Sequence, residues 1–140
     1  MTKINYTNIA VYNHDRQAFI PNQHMVVDTQ TGMIIETASG NATRQACDEV
    51  VDMHGRFAMP GMMNAHTHMT DMPTYWWQNG AEKRHPDSRE MCTMFAIRNM
   101  QDALAHGVTY IRNVGAEFDI DIEIKKMQEK GWIKGPKVMT

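Results

Sequence analysis

Cysteine is scarce in this chain. Cys47 and Cys92 are the only two in 140 residues. Two thiols make a poor disulfide framework, so a reducing, cytoplasmic setting is the expectation. Proline and glycine are also modest, at 5 and 9, while 42% of residues are hydrophobic. Collagen-like, low-complexity and disordered chains are excluded on those figures. Charge of one sign is missing too. Fourteen Lys and Arg face sixteen Asp and Glu, for a net −2. That near-balance offers no electrostatic footprint for nucleic acid or an anionic membrane, and neither partner is expected. No apolar run approaches the ~20 residues of a membrane span. The first residues, Met-Thr-Lys-Ile-Asn-Tyr-Thr-Asn, lack an apolar signal core, so no secretory leader is expected.

Methionine is plentiful, at 14. Met swaps for Leu at little cost in volume, so Met53, Met59, Met62 and Met63 read as core residues. The competing reading is a thioether site for a soft metal, with Met62, Met63, Met69 and Met72 as its nearest approach to a cluster.

Residues 1–58 read as short strands and turns. Thr7–Tyr12 mixes β-branched, aromatic and small residues, as a strand does. His24–Asp28 and Met33–Thr37 flank Thr29-Gln30-Thr31-Gly32, a hairpin turn closed by glycine. Residues 38–45 read as loop, and Glu49–Met53 as another strand ending at His54-Gly55. An antiparallel sheet or sandwich is the expectation. The texture changes near residue 59. Pro60-Gly61 is a turn signal, and Met62–His66 reads as a buried strand. A long connection without clear period follows, holding Tyr75-Trp76-Trp77. Asp87 or Ser88 can cap a helix with Glu90 in its first turn. Its expected apolar face is Met91, Met94 or Phe95, Ile97, Met100, Ala103 and Leu104, with Gly107 as the stop. Val108–Arg112 reads as a buried strand, and Asn113-Val114-Gly115 as a turn. Asp119–Lys130 reads as a helix with Ile120, Ile124 and Met127 on one face, and Lys137–Thr140 as a strand. From residue 61 onward the order is β-α-β-α-β, which predicts a parallel sheet.

The chemistry centres on His66-Thr67-His68. Side chains two apart on a strand share a face, so both imidazoles can meet one metal ion. Neutral imidazole suits zinc and similar divalent ions. A pair of solvated loop histidines is the plain alternative.

The surrounding residues discriminate. Met59-Pro-Gly-Met-Met-Asn-Ala-His-Thr-His68 resembles the first-strand motif of the amidohydrolase superfamily, Pro-Gly, two apolar residues, Asp or Asn, then His-x-His. The approach, Val51-Asp52-Met53-His54-Gly55-Arg56-Phe57-Ala58-Met59-Pro60-Gly61, is similar to the run that ends the family's leading strands. Gly107–Gly115 looks like the second barrel strand and its turn. Gly131–Val138 looks like the approach to the third, in the manner of the imidazolonepropionase and Xaa-Pro dipeptidase branch.

The resemblance implies an α/β fold. Short antiparallel strands of a partial β-sandwich (residues 1–58) would precede the first β/α units of a TIM barrel (residues 59–140), incomplete because a whole barrel takes about 250 residues. It implies that His66 and His68 hold a divalent metal, zinc above all, with iron or manganese as alternatives. The reaction implied is hydrolysis of an amide or cyclic amide of a small-molecule substrate. The family completes its site from later strands, so the chain alone is expected to be inactive. It reads as a truncated product, a fragment or one subunit of a split enzyme, with an oligomer or a complementing chain as partner. His54, His85 and His106 are spare histidines that no spacing aims at the pair. Asp71 is a candidate to orient a ligand or a solvated loop carboxylate. Tyr75, Trp76 and Trp77 are either a lid over the barrel mouth or packing of a long loop. Arg112 either faces the mouth or forms a structural ion pair. The competing functions are a non-catalytic module docking through its open sheet edge and a small metal-binding protein using one spare histidine.

Overall fold

The computed structural model describes residues 2–71 and 88–140. Met72, Tyr75, Trp76, Trp77, His85 and Asp87 therefore lie outside the described residues. The chain divides into two compact units, Met1–Pro60 and Gly61–Thr140.

In the first unit, β1 (Lys3–Asn13), β2 (Ala18–Asp28), β3 (Met33–Ser39), β4 (Glu49–Asp52) and β5 (Phe57–Ala58) form one sheet. The β2–β3 hairpin is as expected. Asp28 pairs with Met33, and Gly32 takes φ +71°. The sheet is not purely antiparallel. β4 and β5 both run parallel to β1, with Ile4 opposite Glu49 and Ala10 opposite Phe57. A tight hairpin cannot deliver a parallel partner, but the connection through residues 40–48 is long enough to turn the chain round. Among the described residues this unit is a single mixed sheet and not two stacked ones. Its buried face is polar: Asn5 and Thr7 on β1, His24 on β2, beside Ile9 and Val26. Asn5 Nδ2 and the His24 ring tie the 40–41 backbone onto that face.

In the second unit, β6 (Met62–Thr67), β7 (Val108–Asn113) and β8 (Lys137–Met139) form a parallel sheet in that order. Helix α1 (Arg89–Ala105) connects toward β7, and α2 (Ile120–Glu129) toward β8. The β-α-β-α-β order expected from the sequence is present. Ser88 caps α1 through its hydroxyl oxygen, which accepts from Met91 N. Gly107 stops the helix at φ +83°, and Gly131 stops α2 at φ +71°. The core draws Cys92, Ala96 and Met100 from α1, Ile111 from β7, Ile120 and Ile124 from α2, and Val138 from β8.

Three expectations fail here. The buried stripe of α1 is Cys92, Ala96 and Met100, while Met91, Met94 and Leu104 are exposed. Small side chains let the helix backbone approach the sheet, and Met91 and Met94 turn outward. Strand β6 is not buried, since Met62 to His66 are all exposed and only Thr67 is half-buried. Its one described neighbour is β7, so it stands at an edge, and it gives no side chain to the core. Met59, Met62 and Met63 are accordingly exposed rather than core, and Met53 is half-buried.

Candidate metal centre

Gly61 sets where β6 begins. A Cβ there would overlap the Thr109 side chain, so only glycine lets the strand enter beside β7. Met62 N then donates to Gly107 O at 3.0 Å, starting the ladder. The strand carries its histidines to its far end. The His66 and His68 rings lie edge to face, with centroids 5.5 Å apart and planes at 68°. The shared-face expectation for i and i+2 holds in that the two rings meet. His66 is exposed and His68 half-buried.

Residues 67–69 are held one by one from residues 113–115. Val114 N donates to Thr67 O at 2.9 Å. The His68 ring meets Gly115 O through Nδ1 at 3.1 Å. Met69 N donates to Asn113 Oδ1 at 3.0 Å, in the interior. Asn113 Nδ2 passes on to Asp121 Oδ2 at 2.9 Å. From α1, Asn99 Nδ2 donates to Met69 O and Asp71 O, both at 2.9 Å. Sequence reasoning took Asn113 for a turn residue and gave Asn99 and Asp121 no role. The signal was faint: a polar residue closing a β-branched run, and another in the first turn of a helix.

A cleft of about 450 Å³ opens beside the pair, lined by Asn64, His66, His68, Asp71 and Asn99 over a floor that includes Met100 and Ile111. A larger opening of about 520 Å³, lined by Lys125, Lys134 and Lys137, carries no imidazole or thiol. Asp71 thus shares the cleft with the histidines. Arg112 is exposed. Of the spare histidines, His85 lies outside the described residues. His54 lies in the first unit near Asp52, and His106 spends its Nδ1 on Asp102 O at 2.7 Å. Among the described residues, no group of three His, Cys, Asp or Glu side chains is placed to hold a metal ion. Two imidazoles meeting at the mouth of a cleft fit part of a coordination sphere, one short of the three protein ligands of a catalytic zinc site.

No protein-family model matches the chain. A 5-methylthioadenosine/S-adenosylhomocysteine deaminase of Bacillus cereus is 35% identical over 69 residues, 48% of this chain and 15% of that protein. Among solved structures, a Xaa-Pro dipeptidase matches 99% of this chain and 32% of its own, with TM-score 0.81 and 19% identity. An amidohydrolase matches 98% of this chain and 30% of its own, with TM-score 0.75 and 22% identity. Molinate hydrolase matches 99% and 29%, with TM-score 0.77 and 15% identity. At these identities the structural likeness is one of fold. In fold over nearly its whole length, and in sequence over 69 residues, this chain resembles the amidohydrolase superfamily, of whose solved members it spans about a third.

Proposed function

We propose that the chain supplies the first two metal ligands, His66 and His68, of a hydrolase that cleaves carbon–nitrogen bonds. The observation that carries this is the pair itself: two imidazoles in ring contact at a strand's end, on the rim of a cleft. The similar proteins support the chemistry, since a deaminase and a dipeptidase both break carbon–nitrogen bonds. In this reading residues 1–58 form the leading β-domain, and residues 59–140 are the first β/α units of a TIM barrel. The substrate is a small molecule bearing an amide or cyclic amide. Zinc fits two imidazoles, as do iron and manganese. Two cysteines, Cys47 and Cys92, are too few for a disulfide framework, which fits a cytoplasmic protein.

His66 and His68 would hold a divalent ion, which would supply an activated water, its pKa lowered toward ~7, and polarisation of the scissile carbonyl. The described residues contribute position. Thr67 O, Met69 N and the His68 ring are each fixed by the 113–115 segment, so the strand end carrying both histidines is held where it meets the cleft. Met100 and Ile111 keep the floor of the cleft apolar. Remaining ligands and the general base come from residues other than those described, in a complementing chain or further sequence. The 140 residues alone are expected to show no turnover.

The exposed β6 edge favours a second reading, a module that docks on other chains through that edge. One experiment separates the two. Metal content per chain is measured by elemental analysis on protein purified without chelator, beside the His66→Ala/His68→Ala variant. About one equivalent in the wild type, lost in the variant, is the expected result. Metal absent from both, with any natural partner chain present, rejects the hydrolase reading and leaves the docking module.

A further inference from the structure

We infer that Gly115 is a positioning residue for His68: its carbonyl holds the ring as the tautomer protonated at Nδ1, leaving Nε2 as the bare lone-pair nitrogen. The ligand consequence rests on the metal reading above, while the tautomer itself does not. A backbone carbonyl only accepts, so the 3.1 Å contact at His68 Nδ1 requires hydrogen on that nitrogen. A neutral imidazole carries one N–H, and the other nitrogen then keeps its lone pair for a metal. Metal-binding histidines commonly have the second nitrogen fixed in this way.

The glycine is there for its backbone. Gly115 has φ +149°, a conformation that side-chain-bearing residues rarely adopt. Space is not the constraint, because an added Cβ would meet His68 Nδ1 and Cε1 at 3.7 and 3.8 Å, an ordinary contact distance. Only the φ angle that aims the carbonyl at the ring calls for glycine. The two residues before Gly115 support that aim. Asn113 and Val114 hold Met69 and Thr67, so both residues flanking His68 are fixed to the segment that ends at Gly115. His66 has a different environment: its backbone N–H donates to Asn64 Oδ1 at 3.1 Å, and its ring meets that of His68 edge to face.

The test begins with metal-free protein labelled with nitrogen-15, in long-range nitrogen–proton spectra near pH 8.5, where an ordinary imidazole is neutral. His68 is expected to show a protonated Nδ1 and an unprotonated Nε2. The reverse assignment, or an even mixture, overturns the inference whether or not metal binds. The Gly115→Ala variant is then expected to lose the single tautomer and to bind zinc about 10-fold or more weakly, in line with the cost of removing a partner that orients a ligand. Gly131→Ala is the control. Gly131 also has positive φ, at +71°, with nothing within 4 Å of an added Cβ, so it imposes backbone strain away from the ring. It is expected to leave the tautomer and zinc affinity unchanged. An unchanged tautomer in Gly115→Ala, or equal losses in both variants, overturns the role of Gly115. If Gly115→Ala fails to fold, the wild-type spectrum decides. A wild type that, with any natural partner chain present, binds no zinc yet shows the Nδ1-protonated ring rejects the metal reading and supports the tautomer lock. Zinc binding by a ring protonated at Nε2 does the opposite.

Discussion

Asn113 Nδ2 donates to Asp121 Oδ2 across 2.9 Å, in the interior. Asn113 closes β7, and Asp121 stands in the first turn of α2. The same amide accepts from Met69 N just past the histidine pair. One side chain therefore fixes a helix start and the exit of the metal-candidate strand together.

The Asn113→Asp variant tests that double duty. It keeps the shape and the acceptor for Met69 but replaces the donor with an oxygen facing the Asp121 carboxylate. Leaving buried polar groups unsatisfied costs about 1–3 kcal/mol each, so a loss of roughly 2–4 kcal/mol in urea unfolding is expected. Amide exchange at Met69 should quicken as well, since its local restraint weakens. An unchanged midpoint would show that the bond carries no net stability.

A second prediction concerns the turn that opens β6. Gly61→Ala puts a methyl group into the Thr109 side chain, and one strand must shift. Overpacking of this kind typically costs about 1–3 kcal/mol. Thr109→Gly in the Gly61→Ala background should recover part of that loss, beyond the sum of the two single effects. Additive effects in the double-mutant cycle would show that the two residues do not collide.

The burial pattern of α1 gives a third. Ala96 is wholly buried, whereas Met94 is 65% exposed. Ala96→Leu should cost about 1–3 kcal/mol by overpacking, and Met94→Lys should stay within about 0.5 kcal/mol of the wild type. Thermal midpoints of the two variants decide. A face with Met94 inward, the alternative to Phe95 in the sequence pattern, demands the opposite order.

That contrast shows what the sequence could carry. Strong local signals were legible: Gly32 in its hairpin turn, Ser88 and Gly107 at the two ends of α1, the alternation of strands and helices after Pro60-Gly61. The meeting of the His66 and His68 rings was legible, because spacing two apart on a strand puts side chains on one face. The inward face of α1 was legible only at Met100 and Ile97. Cys92 and Ala96 are small, and a hydrophobicity pattern weights Met and Leu above them, although close helix–sheet packing favours small residues. The exposure of β6 was hidden for a related reason. An apolar run shows that a strand can be buried, not that its neighbours are present. The parallel pairing of β4 and β5 with β1 is a long-range choice that no local pattern encodes. The clamp of residues 113–115 on 67–69 was likewise out of reach, since it joins segments more than forty residues apart through one asparagine amide and two backbone groups.

The polar interior of the first unit makes the last prediction. His24 is fully buried on β2, with Nδ1 2.8 Å from Gly40 O and Nε2 3.1 Å from Glu36 Oε1. The other Glu36 oxygen accepts from Thr43 Oγ1 at 2.8 Å. The hydrogen bond from His24 first, and that from Thr43 second, hold the Glu36 carboxyl below its ordinary range. A carboxylate with a lowered pKa binds fewer protons folded than unfolded. Its contribution is therefore present above the unfolded glutamate range and is lost as pH falls through the folded value. Replacing it with Gln removes the titrating group while keeping its size. At pH 7, Glu36→Gln is expected to be less stable than the wild type. Between about pH 5 and pH 3 the wild type should lose stability more steeply, so the gap narrows. Urea midpoints for both proteins across that range are the measurement. Parallel curves would mean that the His24–Glu36 contact makes no pH-linked contribution to the fold, and that the loop at residues 40–45 is held by its other hydrogen bonds, such as Asn5 Nδ2 to Asn41 O.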